Sequence, residues 1–425
     1  MTKNEILQTA FKVWGKTLYQ TTSLTDLASE LGVTKQALYR HFKTKDLLLK
    51  AMGEAVNDRF ADFIRADYEA CLNMDNLAEI ELRLARVTSE YYMKNRSDFL
   101  FMMIYLFGSS EPELNQSEQL RVRGISIPAL SDVNESLVYP SDFRLAMTTV
   151  MFMVATFHSH TEGNGDDKGS SHEVISTYLD MLNAHIQSGL GLSVSHFTEE
   201  TFLRLEEAVR DCGLDPVEDE SHQKLLNAVA SAVAVAGPWD VSMGMVAQRS
   251  GLSKSSLYSH FENREEMIKE LFLTEIGRIA SYAEKCSLLS AVPEEQLYLA
   301  IIGIVVFLRE KSDVIHVLDR LKTRRANFKK RHCGKTKPPS PIYKNFSKIR
   351  RPDGSLLVNE RNTEWILFLI VNVLQRRPAD MDYLSIPNES FRALFNFIAR
   401  GIKNAPVKYF HASSVCHNRN KNSNE

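Results

Sequence analysis

Two segments of this chain repeat one another, at a separation of about half of its 425 residues. Residues 24–48 read LTDLASELGVTKQALYRHFKTKDLL, and residues 243–267 read MGMVAQRSGLSKSSLYSHFENREEM. Seven aligned positions are identical: Ala28/Ala247, Gly32/Gly251, Lys35/Lys254, Leu38/Leu257, Tyr39/Tyr258, His41/His260 and Phe42/Phe261. A chance match between Leu-rich helices would not also align Gly, Tyr and His. Because two copies are too few for a solenoid, the sequence predicts a fusion of two similar subunits.

The first copy carries the local signals of several short helices. Ser23, with Asp26 three residues later, is typical of a helix N-cap with its capping-box partner. Gly32 stands where a helix C-terminus needs left-handed backbone. Thr34 and Thr44 are candidate N-caps of a third and a fourth helix. The pattern predicts two short helices joined by a Gly turn, followed by a further helix.

The third helix, over residues 35–41, is expected to have two distinct faces. Leu38 and Phe42 are four residues apart and point inward. The outward side carries Lys35, Gln36 and Tyr39. A short helix that is polar and basic on its exposed side, preceded by another short helix and a turn, is typical of a helix-turn-helix. Two helical turns place a few side chains in a DNA major groove about 12 Å wide.

Charge is distributed unevenly along the chain. The formal net charge is −2, so any nucleic-acid site must be locally basic. Residues 1–52 carry eight Lys and Arg against four Asp and Glu, whereas residues 221–273 carry five of each. Each lost cation removes a possible phosphate neutralisation, so the second copy is less convincing as a DNA binder. It is either a duplicate that keeps the fold but no longer binds DNA, or a second half-site reader with a different base preference.

The stretch from residue 6 to residue 52 resembles the TetR family of bacterial repressors. The LYRHF run, its Thr-Lys lead-in and the following KTKDLL carry the resemblance. A weaker match covers about residues 222–273, where LYSHF is kept. Members of this family are all-α, with a variable C-terminal domain for ligand binding and dimerisation. The resemblance implies two tandem TetR-like units, each a helix-turn-helix DNA-binding domain with a helical regulatory domain.

The resulting division of the chain has five parts. They are a DNA-binding domain at 1–52, a helical ligand-binding and dimerisation domain at 53–200, a linker at 201–220, a second and degenerate helix-turn-helix at 221–273, and a second helical regulatory domain at 274–425. Helices are expected at 143–157 and 173–188 within the first regulatory domain.

The resemblance also assigns candidate DNA-binding residues. In the first copy these are Thr25, Thr34, Lys35, Gln36, Tyr39, His41 and Lys45. In the second copy they are Lys254, Ser255, Tyr258, His260 and Arg264. Family positions on the recognition helix face the bases, and those at its end touch phosphates. The chemistry agrees, because Gln reads adenine, Lys reaches guanine or phosphate, and hydroxyls bind phosphate.

The implied function is sequence-specific transcriptional regulation, as a repressor, with a double-stranded DNA operator as partner. An unknown small-molecule effector would control binding, and the assembly would be an internal pseudo-dimer or a homodimer. The alternative is a ligand-binding or protein-interaction module that retains a degenerate DNA-binding fold.

Other classes of function find no support in the sequence. Motifs of hydrolases, nucleotide-binding proteins and zinc proteases are absent, so no enzyme activity and no cofactor are expected. His158, His160 and Glu162 form an HxHxE string that no nearby Cys or His completes, so no metal is expected. Five scattered cysteines and the lack of an apolar leader or spanning segment predict a cytoplasmic protein with no membrane partner.

A strongly basic segment lies within the second regulatory domain. Residues 320–351 contain thirteen Lys and Arg and no acidic residue. Three prolines at 338, 339 and 341 argue against one continuous helix. The segment is either a basic arm on DNA or a solvated stretch without a dedicated partner.

Overall fold

The structure, a computed structural model, describes residues 2–14, 23–74, 77–105, 116–125, 171–216, 219–318, 341–375 and 387–401. These residues are helices joined by turns and short connections. The only β-type pairing among them is an isolated bridge between Arg350 and Leu356. The all-α fold is therefore confirmed.

Helices follow one another along both halves of the chain. In the first half they are α1 (Lys3–Trp14), α2 (Leu24–Glu30), α3 (Lys35–His41), α4 (Lys45–Cys71), α5 (Leu77–Lys94), α6 (Arg96–Tyr105), α7 (Gln116–Val122), α8 (His172–Ser188) and α9 (Glu199–Cys212). In the second half they are α10 (Glu220–Asp240), α11 (Met243–Ser250), α12 (Lys254–His260), α13 (Arg264–Ser287), α14 (Pro293–Glu310), α15 (Pro341–Phe346), α16 (Glu360–Gln375) and α17 (Asn388–Arg400). Residues 312–318 are also helical.

The predicted regulatory helix over 173–188 corresponds to α8. The helix predicted over 143–157 lies outside the described residues.

The duplication extends beyond the repeated sequence motif. A long helix follows the last short helix of each repeat: α4 follows α3 in the first half, and α13 follows α12 in the second. A C-cap leucine, Leu72 or Leu288, follows each long helix, and its N–H bonds back to the preceding turn. An 18-residue helix then follows in each half, α5 and α14. The two halves therefore share an order of elements as well as a motif.

Buried side chains form three clusters. One holds α1–α3 against the start of α4, an equivalent one holds α10–α12 against the start of α13, and the largest holds the remaining helices together. Helix α4 gives Val56 to the first cluster and Phe60 to the largest. The apolar face of α4 packs in both cores, so this helix is continuous at residue 52, where a domain boundary was predicted. Helix α13 passes similarly from Leu271 to Ile276 around residue 273.

The largest core contains helices of both halves, which meet closely at the end of α8. The backbone N–H groups of Leu190 and Leu192 donate to the carbonyls of Ile398 and Ala399 in α17, at 2.8 and 2.9 Å. Gly189 has φ +57°, and a Cβ there would overlap the Ile398 carbonyl oxygen. Glycine is required at this position because both the backbone angle and the approach exclude a side chain.

The predicted linker at 201–220 needs correction. Helix α9 occupies Glu199–Cys212, with Thr198 as its N-cap. Phe202, Leu205 and Val209 are buried at helical spacing in the core shared by both halves. Acidic residues and a proline suggested a linker, but they mark only the short connection after α9.

The basic segment at 320–351 divides into two parts. Residues 320–340 lie outside the described residues. From Pro341 the chain forms α15, and Ile342 and Phe346 are buried in the core. Lys348 pairs with Glu284, and the Arg351 guanidinium donates to the Leu190 carbonyl at 2.9 Å. These two cations therefore make contacts within the protein, whereas both readings of residues 320–340, as a DNA-binding arm or a solvated stretch, stay predictions.

Two kinds of feature are absent from the described part of the chain. No helix there is both long and apolar enough to cross a lipid bilayer. No group of three or more His, Cys, Asp or Glu side chains among those residues is placed to hold a metal ion. The HxHxE string at 158–162 lies outside them.

Candidate nucleic-acid interface

Side-chain caps fix the geometry of the first helix-turn-helix. The Ser23 hydroxyl accepts from the Asp26 N–H at 3.2 Å, and the Ser23 N–H donates to the Asp26 carboxylate at 2.7 Å. These bonds hold the pKa of the Asp26 carboxyl below its ordinary value. Gly32, at φ +66°, supplies the turn, and Thr34 accepts from the Ala37 N–H at 3.2 Å to begin α3. The predicted caps and turn are confirmed.

Helix α3, the candidate recognition helix, buries one face and exposes the other. Leu38 is fully buried and Phe42 is 2% exposed, in a core that includes Leu24 and Leu27. Tyr39 is 38% exposed, next to the exposed Lys35 and Gln36. The predicted orientation of the helix is thus observed.

The remaining candidates of the first copy surround this face. Thr25, Thr34 and His41 are exposed, at the start of α2, before α3 and at the end of α3. Lys45 opens α4 and is partly buried, which lowers the pKa of its ammonium, although Asp46 and Asp26 oppose that shift. The Lys35 Nζ atom lies 5.5 Å from the centre of the Tyr39 ring, so a cation and an aromatic ring share one patch.

The second helix-turn-helix preserves the same scaffold. Ser242 caps α11 and Ser253 caps α12, and the connecting Gly251 has φ +72°. Leu257 is fully buried and Phe261 is 1% exposed, like their counterparts in the first copy. The second copy therefore has the same fold as the first, although it carries fewer positive charges.

The exposed face of the second copy is chemically different. Tyr258 is 54% exposed, but the Ser255 hydroxyl hydrogen-bonds the Ser253 hydroxyl at 2.8 Å. Ser259, in the place of Arg40, donates to the Ser256 carbonyl at 2.6 Å. Both serines already have local partners, and neither has the reach of the side chain it replaces.

A glycine also replaces one phosphate-binding candidate. Gly244 occupies the position of Thr25, and a Cβ there would lie 2.9 Å from the Cε atom of Lys254. The Lys254 side chain therefore leans back over α11. His260 is exposed, and Arg264 is partly buried at the start of α13, followed by the acidic Glu265.

A contact that the sequence did not reveal joins the first helix-turn-helix domain (α1–α3, called the first head below) to α6. Arg59 in α4 donates to both oxygens of the buried Asp98 in α6, at 3.0 and 2.6 Å. Its guanidinium lies 4.9 Å from the centre of the Phe11 ring in α1. Phe11 also meets Phe101 of α6 edge-on, at 5.5 Å between ring centres. The head is therefore tied to α6 through its first helix.

Burial around Asp98 has a chemical consequence. The Tyr91 hydroxyl donates to the Asp98 carboxylate at 2.5 Å. Burial and the neighbouring Asp98 charge raise the pKa of the Tyr91 phenol. Tyr91 is therefore a neutral donor at physiological pH, and it shares the Asp98 carboxylate with Arg59. These residues are distant along the chain and belong to no single motif, so no sequence pattern indicates their contact.

Comparison with known proteins identifies both helix-turn-helix segments. The family "Bacterial regulatory proteins, tetR family" matches residues 6–52 and 226–271. The biofilm operon icaADBC HTH-type negative transcriptional regulator IcaR of Staphylococcus epidermidis is 24% identical over 116 residues, which are 27% of this chain and 58% of that protein. The crystal structure of a TetR family transcriptional regulator, PfmR from Thermus thermophilus, is 23% identical, with a TM-score of 0.27, over 42% of this chain and 96% of that one.

Proposed function

We propose that this chain, which carries two TetR-type units in tandem, is a sequence-specific DNA-binding transcriptional regulator. The observation that carries the proposal is the arrangement of α3. Caps fix its start, Leu38 anchors its inner face, and Lys35, Gln36 and Tyr39 stand together on its exposed face. A short, rigid helix with polar side chains on one face fits the DNA major groove.

The first head divides base reading from phosphate binding. Gln36 is the proposed adenine reader, because its amide offers a donor and an acceptor side by side. Lys35 reaches guanine or phosphate, and Tyr39 adds a ring and a hydroxyl to the same patch. The phosphate contacts come from Thr25, Thr34, His41 and Lys45. The Thr34 hydroxyl accepts the Ala37 N–H, so it still has its own proton to donate to a phosphate oxygen.

The second head is proposed as a weaker reader of a different half-site. Lys254, Tyr258, His260 and Arg264 provide the contacts, and Ser255 replaces the adenine-reading amide. The lower local charge and the occupied serine hydroxyls support weaker binding. An alternative role, as a fold-preserving domain without DNA contact, is favoured by the Lys254 side chain lying over Gly244.

An internal pseudo-dimer is the assembly we propose. The core shared by the two halves and the backbone hydrogen bonds between α8 and α17 support it. A two-fold operator requires two heads about one DNA turn, ~34 Å, apart. One chain with two joined heads supplies both without a second chain. A homodimer through two first units is the alternative.

We further propose that the protein represses transcription and that a small effector controls its binding to DNA. IcaR is a negative regulator, and its similarity supports repression here. The Arg59–Asp98 pair and the Phe11–Phe101 contact link α6 to the first head. A shift of α6 would therefore move α1 and change the position of the recognition helix. Such a link is the physical requirement for ligand-dependent DNA binding.

Selection of genomic fragments by the purified full-length protein tests this function. We expect recovery of a common sequence whose affinity falls steeply with salt, because phosphate contacts release counterions. Failure to enrich any sequence, together with binding to small molecules or proteins alone, would favour the interaction module instead.

Replacing Tyr39 by Ala is expected to weaken operator binding by roughly 1–3 kcal/mol while leaving the fold intact, because the ring is exposed. The matched variant is Tyr258→Ala, which removes the same side chain from the second head. Its effect should be smaller, since that head contributes less affinity. Titration of labelled operator measures the affinity of both variants. Equal losses, or a larger loss in Tyr258→Ala, would contradict the proposal that the first head contributes more of the affinity.

A further inference from the structure

Two cysteine side chains meet where the end of α9 lies against α13. Cys212 is the last residue of α9 and is partly exposed, whereas Cys286 is the penultimate residue of α13 and is fully buried. A side-chain hydrogen bond joins the two free thiols. The residues are far apart in the sequence, so the fold brings them together rather than a local motif. A disulfide requires two sulfurs that can reach bonding distance without a large movement of the backbone.

Contacts around this pair hold the end of α9 on α13. The Tyr282 hydroxyl donates to the Val209 carbonyl at 3.2 Å and also hydrogen-bonds the Cys286 thiol. The Lys285 ammonium donates to the Cys212 carbonyl at 3.1 Å. Both donors lie within one turn of Cys286 on α13. Neighbours that are not cysteines therefore fix the position of one thiol against the other.

The two thiols differ in their access to solvent. Helix α14 packs directly on Cys286, because a Cβ at Gly303 would lie 2.9 Å from the Cys286 Sγ atom. Cys286 is 0% exposed, so an oxidant has no path to it in the folded protein. Cys212 is the accessible member of the pair. An accessible thiol beside a second thiol is the arrangement in which a sulfenic acid on the first is converted to a disulfide by the second.

We propose that Cys212 and Cys286 are a site of reversible oxidation, at which hydrogen peroxide converts the two thiols to a disulfide. The Cys212 sulfur attacks one peroxide oxygen, so that an S–O bond forms, the O–O bond breaks and one water leaves. The Cys286 sulfur then attacks the Cys212 sulfur. The S–S bond forms, the S–O bond breaks, and the hydroxyl leaves with the Cys286 proton as a second water. The two electrons that the thiols lose reduce the peroxide, and a dithiol reductant returns them.

The electrostatics of the pair agree with this order of events. Burial and the neighbouring Cys212 charge raise the pKa of the Cys286 thiol to about 12, and the Tyr282 hydrogen bond and the Lys285 charge oppose the shift. Cys286 is therefore a poor nucleophile before oxidation, because the thiolate is the reactive form. A protonated sulfenic acid carries no charge, so oxidation of Cys212 removes one of the two causes. The buried thiol becomes easier to deprotonate when its partner is ready for attack.

The disulfide would enclose the second helix-turn-helix domain in a covalent loop. The chain between Cys212 and Cys286 contains the connection after α9, the helices α10–α12 and nearly all of α13. Helix α9 packs in the core shared by both halves, so the bond would tie that core to the helix on which the second helix-turn-helix stands. Formation of the bond does not depend on the proposed DNA-binding function.

Peptide mapping of the full-length protein tests the site. The reduced protein is treated with hydrogen peroxide, its remaining thiols are alkylated in denaturant, and it is digested with trypsin without reductant. Cleavage after Lys and Arg puts Cys212 on peptide 211–224 and Cys286 on peptide 286–309, apart from the other three cysteines. We expect these two peptides to be joined, and to separate after a dithiol reductant. Cys71→Ser, which removes a buried thiol of α4, is the matched control and should leave the joined peptides unchanged.

Two further variants test the order of oxidation. In Cys286→Ala the sulfenic acid on Cys212 has no partner, so its labelling by dimedone should rise severalfold over that of the wild type. In Cys212→Ser the buried Cys286 should escape peroxide and be alkylated in denaturant. Recovery of Cys212 and Cys286 as separate alkylated peptides after peroxide would overturn the site. Joining of either residue to a different cysteine, or oxidation of Cys286 in Cys212→Ser, would overturn it as well.

Discussion

Replacing Arg392 by alanine is expected to lower the free energy of unfolding by about 3–5 kcal/mol, because it leaves a carboxylate buried without its cation. Arg392 in α17 is 2% exposed, and Glu206 in α9 is 5% exposed. The guanidinium donates to both Glu206 oxygens, at 2.6 and 2.8 Å. Tyr298 donates to the same carboxylate at 2.6 Å and Asn388 at 2.8 Å. The cluster joins α9 to two helices of the second half.

Urea unfolding of the full-length protein measures this effect. Lys94→Ala breaks an exposed pair with Glu90 and should cost at most about 1 kcal/mol. Replacing Arg392 by Met together with Glu206 by Leu should cost less than Arg392→Ala, since no buried charge remains. If Arg392→Ala lowered the free energy of unfolding no more than Lys94→Ala, the buried pair would not stabilise the packing of α9 as proposed.

The dependence of this effect on pH follows from the carboxyl group. Burial raises the pKa of Glu206, but its bonds from Arg392, Tyr298 and Asn388 outweigh burial and hold it below the ordinary 4.5. The stability that the ionised Glu206 carboxylate contributes is therefore complete above pH 4.5, the ordinary pKa of the group. It is lost as the pH falls through the lower pKa of Glu206 in the folded state. The difference in stability between wild type and Arg392→Ala should narrow in acid.

Replacing Leu38 by alanine should destabilise the first head by about 2–5 kcal/mol. Leu38 is fully buried in the separate core of α1–α3 and the start of α4. That core is distinct from the large one, so the loss should appear as faster amide exchange in residues 23–42. Tyr39→Ala, one residue away, is the matched control and should leave exchange unchanged. Unfolding in Tyr39→Ala with none in Leu38→Ala would reverse the faces of α3.

Local features of the fold were predictable from the sequence because short-range chemistry determines them. Ser23, Thr34 and Thr44 cap helices, and Gly32 makes the turn, as neighbouring residues required. The two faces of α3 followed from the four-residue spacing of its apolar side chains. The repeat itself predicted the tandem organisation.

Features that join distant parts of the chain were not predictable. Glu206 meets Arg392 across 186 residues, and no local pattern marks either. The linker prediction failed because charge and proline near residue 216 outweighed the apolar spacing of Phe202, Leu205 and Val209. That spacing was present in the sequence and would have predicted α9. The contacts of Lys348 and Arg351 were not predicted either, because the high density of Lys and Arg around them indicated a solvent-exposed or DNA-binding segment.

The mass of the protein–DNA complex, measured together with its footprint, tests the central claim most directly. An internal pseudo-dimer predicts one chain on a non-palindromic site, with two half-sites about one DNA turn apart and stronger protection by the first head. Tyr258→Ala should then weaken protection of one half-site only. Two chains on a palindrome, with binding indifferent to Tyr258→Ala, would contradict the account and assign DNA recognition to a homodimer of first units.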